Sequence, residues 1–200
     1  MKKYGFFGGS FNPVTKAHVD LALEIVKMFN MDKVIFVPVG DNYNKKGLIN
    51  EKHRYNMLKI ATNGYKDLEI SDIELNQDRN LTTLEAFQKI EESYDEISKY
   101  YIIGADNLYK MILSKDLEIL AQKYKYIVIQ RGIIDTKEII KSNEILKENK
   151  KNFYIMENTK HNDTSSTEVR KNLESGNNNL ESILQKEVLN YIEKNRLYNC

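Results

Sequence analysis

The chain predicts an α/β fold: a Rossmann-like, doubly wound parallel sheet with a small C-terminal helical extension. Three observations carry this. Short apolar runs without polar alternation, such as Val34-Ile35-Phe36-Val37, suit strands covered on both faces of a parallel sheet. Such runs alternate with helix-length stretches, the order that βαβ units produce. The first strand meets the first helix at a turn rich in glycine and hydroxyl residues, beside which ligands bind in folds of this kind.

The predicted first strand covers residues 3–8. The turn after it reads Gly8-Gly9-Ser10-Phe11-Asn12-Pro13-Val14-Thr15-Lys16-Ala17-His18. Gly8 and Gly9 let the backbone approach a ligand closely or take a positive φ. Pro13 fixes the turn, and Thr15 is the expected N-cap. Leu21, Ala22, Ile25 and Phe29 then share one helical face, so the helix runs to about residue 30. Thr15 and His18 stand three apart and can point from the first turn toward one object. The free N–H groups and positive potential of a helix start suit a phosphate. A plain strand–turn–helix with a core histidine would leave this gathering of glycines, hydroxyls and histidine unexplained.

Further strands are expected at 34–37, 68–70, 101–103, 126–129 and 153–155. Helices are expected at 51–63, 82–93, 115–123 and 136–149. Gly104-Ala105-Asp106 follows the fourth of these strands. If that strand neighbours the first, both turns face one crevice at the switch of strand order. Gly104 leaves room there for a nucleotide. Asp106 can accept hydrogen bonds from a ribose or adenine, hold a metal through water, or cap the next helix. Residues 164–200 form the helical extension of a single domain spanning 1–200. In it Ser165, Ser166 and Thr167 open a helix with Val169 and Leu173 inward. A turn signal at 175–179 precedes a last helix carrying Val188, Leu189 and Ile192.

Two hundred residues can bury a substantial core. Lysine and arginine number 30 against 29 acids, a net charge of +1 with no strongly basic tract, which argues against a nucleic-acid binder. The one cysteine, Cys200, permits no disulfide framework and no thiolate metal cage. The histidines at 18, 53 and 161 lack zinc spacing, and no metal-binding set of residues is predicted. There is no Gly-Lys-Ser/Thr for a Walker-type site and no Gly-x-Gly-x-x-Gly for hydride transfer. No signal-peptide pattern occurs, and no apolar run nears the ~20 residues that span a bilayer. A cytoplasmic protein with no membrane partner is expected.

Gly-Gly-Ser-Phe-Asn-Pro-x-Thr-x-x-His resembles the signature of the adenylyltransferases that attach AMP to nicotinate or nicotinamide mononucleotide. They belong to a nucleotidyltransferase superfamily whose motif is His/Thr-x-Gly-His; here Thr15 takes the first position and Ala17 stands for the glycine. Residues 38–49, Pro-Val-Gly-Asp-Asn-Tyr-Asn-Lys-Lys-Gly-Leu-Ile, are similar to the acceptor loop of the eukaryotic-type enzymes. The resemblance implies that Lys45 meets the mononucleotide phosphate and that Tyr43 lines the pyridine pocket. It implies acceptance of both pyridine forms, because many bacterial members carry a Pro-Pro-His-Lys loop instead. His53 and Arg54 match the family's helix start. Asn80-Leu81-Thr82-Thr83-Leu84 matches a segment that encloses the ring. The tryptophan that often stacks there is missing, and Tyr43 or Tyr109 would replace it. Asn162-Asp163-Thr164-Ser165-Ser166-Thr167-Glu168-Val169-Arg170 resembles the second signature, Ile-Ser-Ser-Thr-x-x-Arg, with Thr164 its one departure. The closing stretch from Val188 to Tyr198 matches the family's C-terminal end.

The implied chemistry is direct adenylyl transfer from ATP, with Mg²⁺ carried by the ATP. His18, Thr15, Lys45 and Arg170 would be catalytic. ATP would be held by Gly8, Gly9, Ser10, Phe11, His18, Gly104, Asp106, Ser165, Ser166, Thr167 and Arg170. The mononucleotide would meet Ser10, Phe11, Tyr43, Lys45, Arg54, Thr83 and Tyr109. The rival readings are a transferase of the same superfamily acting on phosphopantetheine, glycerol phosphate or choline phosphate, and a nucleotide sensor without turnover. The sequence leaves homo-oligomerisation open.

Overall fold

The computed structural model describes residues 1–130, 134–157, 166–176 and 180–199. β1 (Lys2–Gly9) lies between β2 (Lys33–Pro38) and β4 (Ile97–Gly104), parallel to both. β3 (Leu68–Ile70) borders β2, and β5 (Lys125–Ile129) and β6 (Phe153–Met156) follow β4. The sheet order is therefore β3-β2-β1-β4-β5-β6 with every pairing parallel, and the order reverses between β1 and β4. In such a sheet the crevice beyond the carboxyl ends at the reversal is the ligand position. Phe7 is opposite Ile102, so Gly9 and Gly104 follow at equal distances along the two central strands. The two glycine-bearing turns thus leave the sheet side by side.

Adjacent side chains of a strand point to opposite faces, and each strand here feeds two cores. Phe7, Val34, Phe36, Ile102 and Ile127 join one cluster, beneath α1 (Lys16–Met28) and α2 (Glu51–Ala61). Phe6, Ile35, Val37, Tyr101 and Val128 join the other. Above it lie α3 (Thr83–Ser93), α4 (Ala105–Ile112), α5 (Leu117–Lys123), α6 (Thr136–Ser142) and α7 (Glu144–Glu148). Ile25, Phe36 and Leu120 are wholly buried; each such side chain stabilises the fold by about 1.5–3 kcal/mol. α8 (Ser166–Glu174), α9 (Lys186–Lys194) and a 3₁₀ turn (Leu197–Asn199) follow β6. Val169, Leu173, Val188 and Ile192 enter the same cluster as Ile25, so this end of the chain packs on the sheet with α1 and α2.

The structure departs from the sequence expectations in three places. α4 starts at Ala105, directly after β4, so Gly104 is its N-cap and Asp106 stands inside its first turn instead of capping it; Leu108 and Met111 give it a buried face. The helix expected at 136–149 is broken at Asn143, whose side chain accepts from the Leu146 N–H at 3.1 Å and caps a second helix. Gly8 and Gly9 do not take the positive φ of the first turn. They complete β1, and Phe11 adopts φ 44° instead.

Candidate active site

The turn after β1 is fixed at both ends. Thr15 is the N-cap of α1, as its sequence position predicts. His18 reaches back from the first turn: its Nδ1 accepts the Thr15 backbone N–H at 3.1 Å and lies 2.7 Å from Thr15 Oγ1. A backbone N–H can only donate, so Nδ1 is an acceptor and the ring proton resides on Nε2. Phe11 and Phe7 pack against the imidazole, with ring centroids 5.3 and 6.3 Å away. No acid stands in the first turn of α1, leaving its positive end unneutralised by its own helix. Thr15 does not point outward beside His18 as expected. It is buried, and its hydroxyl faces the imidazole, so it orients His18. The Phe11 ring is likewise turned into the core, which leaves only its backbone to meet a ligand.

The second signature arrives at the same turn. Ser166 Oγ, at the start of α8, donates to the Pro13 carbonyl at 2.9 Å. Arg170 NH1 donates to the Asn12 carbonyl at 2.8 Å and to Ser166 O at 3.1 Å, and NH2 lies 3.2 Å from Thr167 Oγ1. The planar guanidinium suits such a multi-point grip. Arg170 and His18 therefore converge on residues 10–18, although 152 positions separate them. Ser165, together with Asn162, Asp163 and Thr164, lies outside the described residues.

The stretch after β2 closes a third side. Lys45 Nζ donates to Ser10 Oγ at 2.8 Å. Partial burial of the ammonium, then the Arg170 and Lys110 charges, lowers the Lys45 pKa, with Asp106 opposing. Those interactions draw Lys45, Arg170, Lys110 and Asp106 into one charged crevice. The Asp106 carboxylate folds back over the end of β4: a Cβ on Gly104 would lie 2.5 Å from Asp106 Oδ1. Gly40 is required by close approach, because a Cβ would come within 2.5 Å of the Glu74 carbonyl. Asn42 Nδ2 donates to Gln77 O at 2.5 Å and ties the same loop to residues 71–77.

Arg54 was expected at the mononucleotide, and the structure corrects this. It is wholly buried. Nε donates to Ile49 O at 2.9 Å, NH1 to Ser10 O at 3.1 Å, and NH2 meets Asp41 Oδ1 at 3.3 Å. Burial depresses its pKa, and the Asp41 bond opposes that. Arg54 therefore joins the two loops from below. His53 Nδ1 lies 3.0 Å from the Tyr191 hydroxyl. Tyr43 is half-buried on the acceptor loop, Thr83 is exposed at the start of α3, and Tyr109 is 57% exposed on α4.

The cytidylyltransferase-like family model matches residues 6–172, from β1 through α8. The chain belongs to the cytidylyltransferase-like family. Its relatives include proteins named "Probable nicotinate-nucleotide adenylyltransferase". That of Clostridium tetani is 30% identical over 200 residues, covering 99% of this chain and all of the relative. That of Acholeplasma laidlawii is 33% identical over 193 residues, covering 96% of this chain and 95% of the relative. A Plasmodium falciparum nicotinic acid mononucleotide adenylyltransferase complexed with NaAD shares the fold, with TM-score 0.81 and 23% identity over 100% of this chain and 98% of that one. The same protein complexed with APC gives TM-score 0.79 at 22% identity, with the same coverage.

In this cytidylyltransferase-like chain, Lys110, Asp41 and the role of Asn12 were not legible from the sequence. Lys110 lies in no motif, so its nearness to Lys45 had no signal. Asn12 was visible inside the signature, yet its bonds run to distant segments. Among the described residues no group of three or more His, Cys, Asp or Glu could hold a metal ion, and no helix is long and apolar enough to cross a membrane.

Proposed function

We propose that the protein transfers the adenylyl group of ATP to nicotinate mononucleotide, and to nicotinamide mononucleotide as well, releasing pyrophosphate and forming the dinucleotide of NAD biosynthesis. The observation that carries the reading is the joining of the two signatures, with Ser166 and Arg170 bonded to the carbonyls of Pro13 and Asn12, five and six residues before His18. Relatives named for nicotinate-nucleotide adenylyl transfer, aligned over nearly the whole chain, support it.

In the reaction, a 5′-phosphate oxygen of the mononucleotide attacks the α-phosphorus. The bond from the α-phosphorus to the bridging oxygen breaks, and pyrophosphate leaves with that electron pair. Both reactants bring their own reacting groups, so the protein orients them and neutralises charge. His18 presents Nε2–H to the α-phosphate, with Thr15 fixing the tautomer. Arg170, Ser166 and Thr167 grip the β- and γ-phosphates, and Lys45 holds the attacking phosphate. The backbone of residues 8–11 and Gly104 line the ATP. Tyr43, Thr83 and Tyr109 enclose the pyridine in place of a tryptophan. Mg²⁺ brought with the ATP would supply further charge neutralisation. Asp106, a hard oxygen donor, would hold it through water. The cytoplasm is the expected compartment.

Pyrophosphate release from ATP with each acceptor in parallel tests the reading. Release is expected with the two pyridine mononucleotides and not with phosphopantetheine, glycerol phosphate or choline phosphate. Release confined to one of the latter three, or to none, would overturn it.

A further inference from the structure

Asn12 is wholly buried, and its polar groups face three different segments. Its Nδ2 donates to the Gly47 carbonyl at 2.8 Å, on the acceptor loop. Its Oδ1 accepts the Tyr198 hydroxyl at 2.7 Å and a longer bond from Ile49 N–H at 3.5 Å. Its backbone carbonyl accepts Arg170 NH1 at 2.8 Å. Tyr198 stands 186 positions away in the closing 3₁₀ turn. A carbonyl only accepts, so Gly47 dictates which end of the amide is NH₂. Oδ1 must then face Tyr198, and the phenol must donate. Burial, outweighing the Arg170 and Arg54 charges, raises the Tyr198 pKa, so the donor proton is retained. Tyr198 holds φ 60°, and Phe11, the residue before Asn12, holds φ 44°, so left-handed backbone stands at one end of the contact and next to the other. The Tyr198 ring lies in the core cluster with Val169 and Ile192.

We infer that Tyr198 is a positioning residue for adenylyl transfer: by orienting the Asn12 amide, it sets the acceptor loop relative to the turn that binds Arg170 of α8 and leads into His18. This rests on the proposed function. Lys45, which would hold the attacking phosphate, is two residues from Gly47 on that loop. Arg170, which would hold the other reactant, is bonded to the same asparagine. The Asn12–Tyr198 pair therefore fixes the approach of one phosphate to the other without touching either. Residues that hold reactants in line are sensitive to small displacements.

Tyr198→Phe removes one oxygen and keeps the ring. In the full chain it should lower kcat/KM for the mononucleotide by about tenfold. The KM for ATP should stay within about twofold, and the melting midpoint should move by only a few degrees. Asn12→Asp keeps the acceptor for Tyr198 but cannot donate to Gly47, so it should lower the same kcat/KM. The double variant should then fall no further than Asn12→Asp alone, because the two changes cut one linkage. Tyr198→Phe with a shifted midpoint but wild-type kcat and KM would overturn the inference, as would effects that simply multiply in the double variant. A wild-type chain that releases no pyrophosphate with either pyridine mononucleotide would overturn the functional reading itself, and the inference with it.

Discussion

At the scale of single residues, the site is defined by what each donor is already doing. His18 is held by Thr15 through Nδ1, which places the ring proton on Nε2. Removing a hydrogen-bond donor that acts on developing charge costs about 10²–10³ in rate. His18→Ala should therefore reduce kcat by about that factor with a small change in KM for ATP; steady-state kinetics would show this, and an unchanged kcat would remove His18 from the chemistry. Lys45 makes a second case. Its pKa is lowered by burial and by Arg170 and Lys110, so it loses its proton at a lower pH than an ordinary lysine. Binding of the mononucleotide phosphate should weaken as pH rises through that depressed value. Lys45→Arg should move the alkaline limb of the kcat/KM profile upward, since a guanidinium stays charged there. The sequence marked both residues as candidates, because each sits within a contiguous motif. It did not separate Arg54 from them: a buried cation tied to two backbone carbonyls looks like any exposed helical arginine when only its neighbours in the chain are known.

At the scale of elements, the loops matter as packed bodies. The loop at residues 40–49 is fastened to the β1 turn by Asn12 and Arg54, to α2 by Asp41, and to residues 71–77 by Asn42. Glu74 lies in that last segment, and burial raises its carboxyl pKa to about 7. The unfolded carboxyl titrates near 4.5, so the folded chain binds more protons between pH 4.5 and 7, and stability falls across that window as pH rises. Above pH 7 the full penalty applies, on the order of 3 kcal/mol at most. Glu74→Gln should raise the melting midpoint at pH 8, and thermal melts should show the gain vanishing near pH 4.5. Most elements were legible beforehand, since buried parallel strands and amphipathic helices have distinct periods. α4 was not: Gly104-Ala105-Asp106 reads as a loop, and only tertiary contact for Leu108 and Met111 makes it a helix.

At the scale of the whole molecule, the site joins chain segments from β1, β2, β4 and α8, so a ligand that bridges them stabilises the fold entire. ATP at 100 times its Kd should add about 2.7 kcal/mol, or roughly 5–10 °C in a chain of this size. Arg170→Lys should lose most of that rise in a thermal-shift measurement. A lysine is a point charge and cannot span the Asn12 and Ser166 carbonyls together. The doubly wound sheet was readable from the alternation of segments, and the meeting of the two signatures could be inferred from their resemblance. The contact between Tyr198 and Asn12 could not, because nothing local to either residue names a partner 186 positions distant.

Residues 40–49 belong to no strand or helix, and they are moored by side chains rather than by the sheet ladder. An insertion or deletion in this ribbon would therefore strip partners from the wholly buried Asn12 and Arg54, so a change at the rim is felt in the floor beneath it.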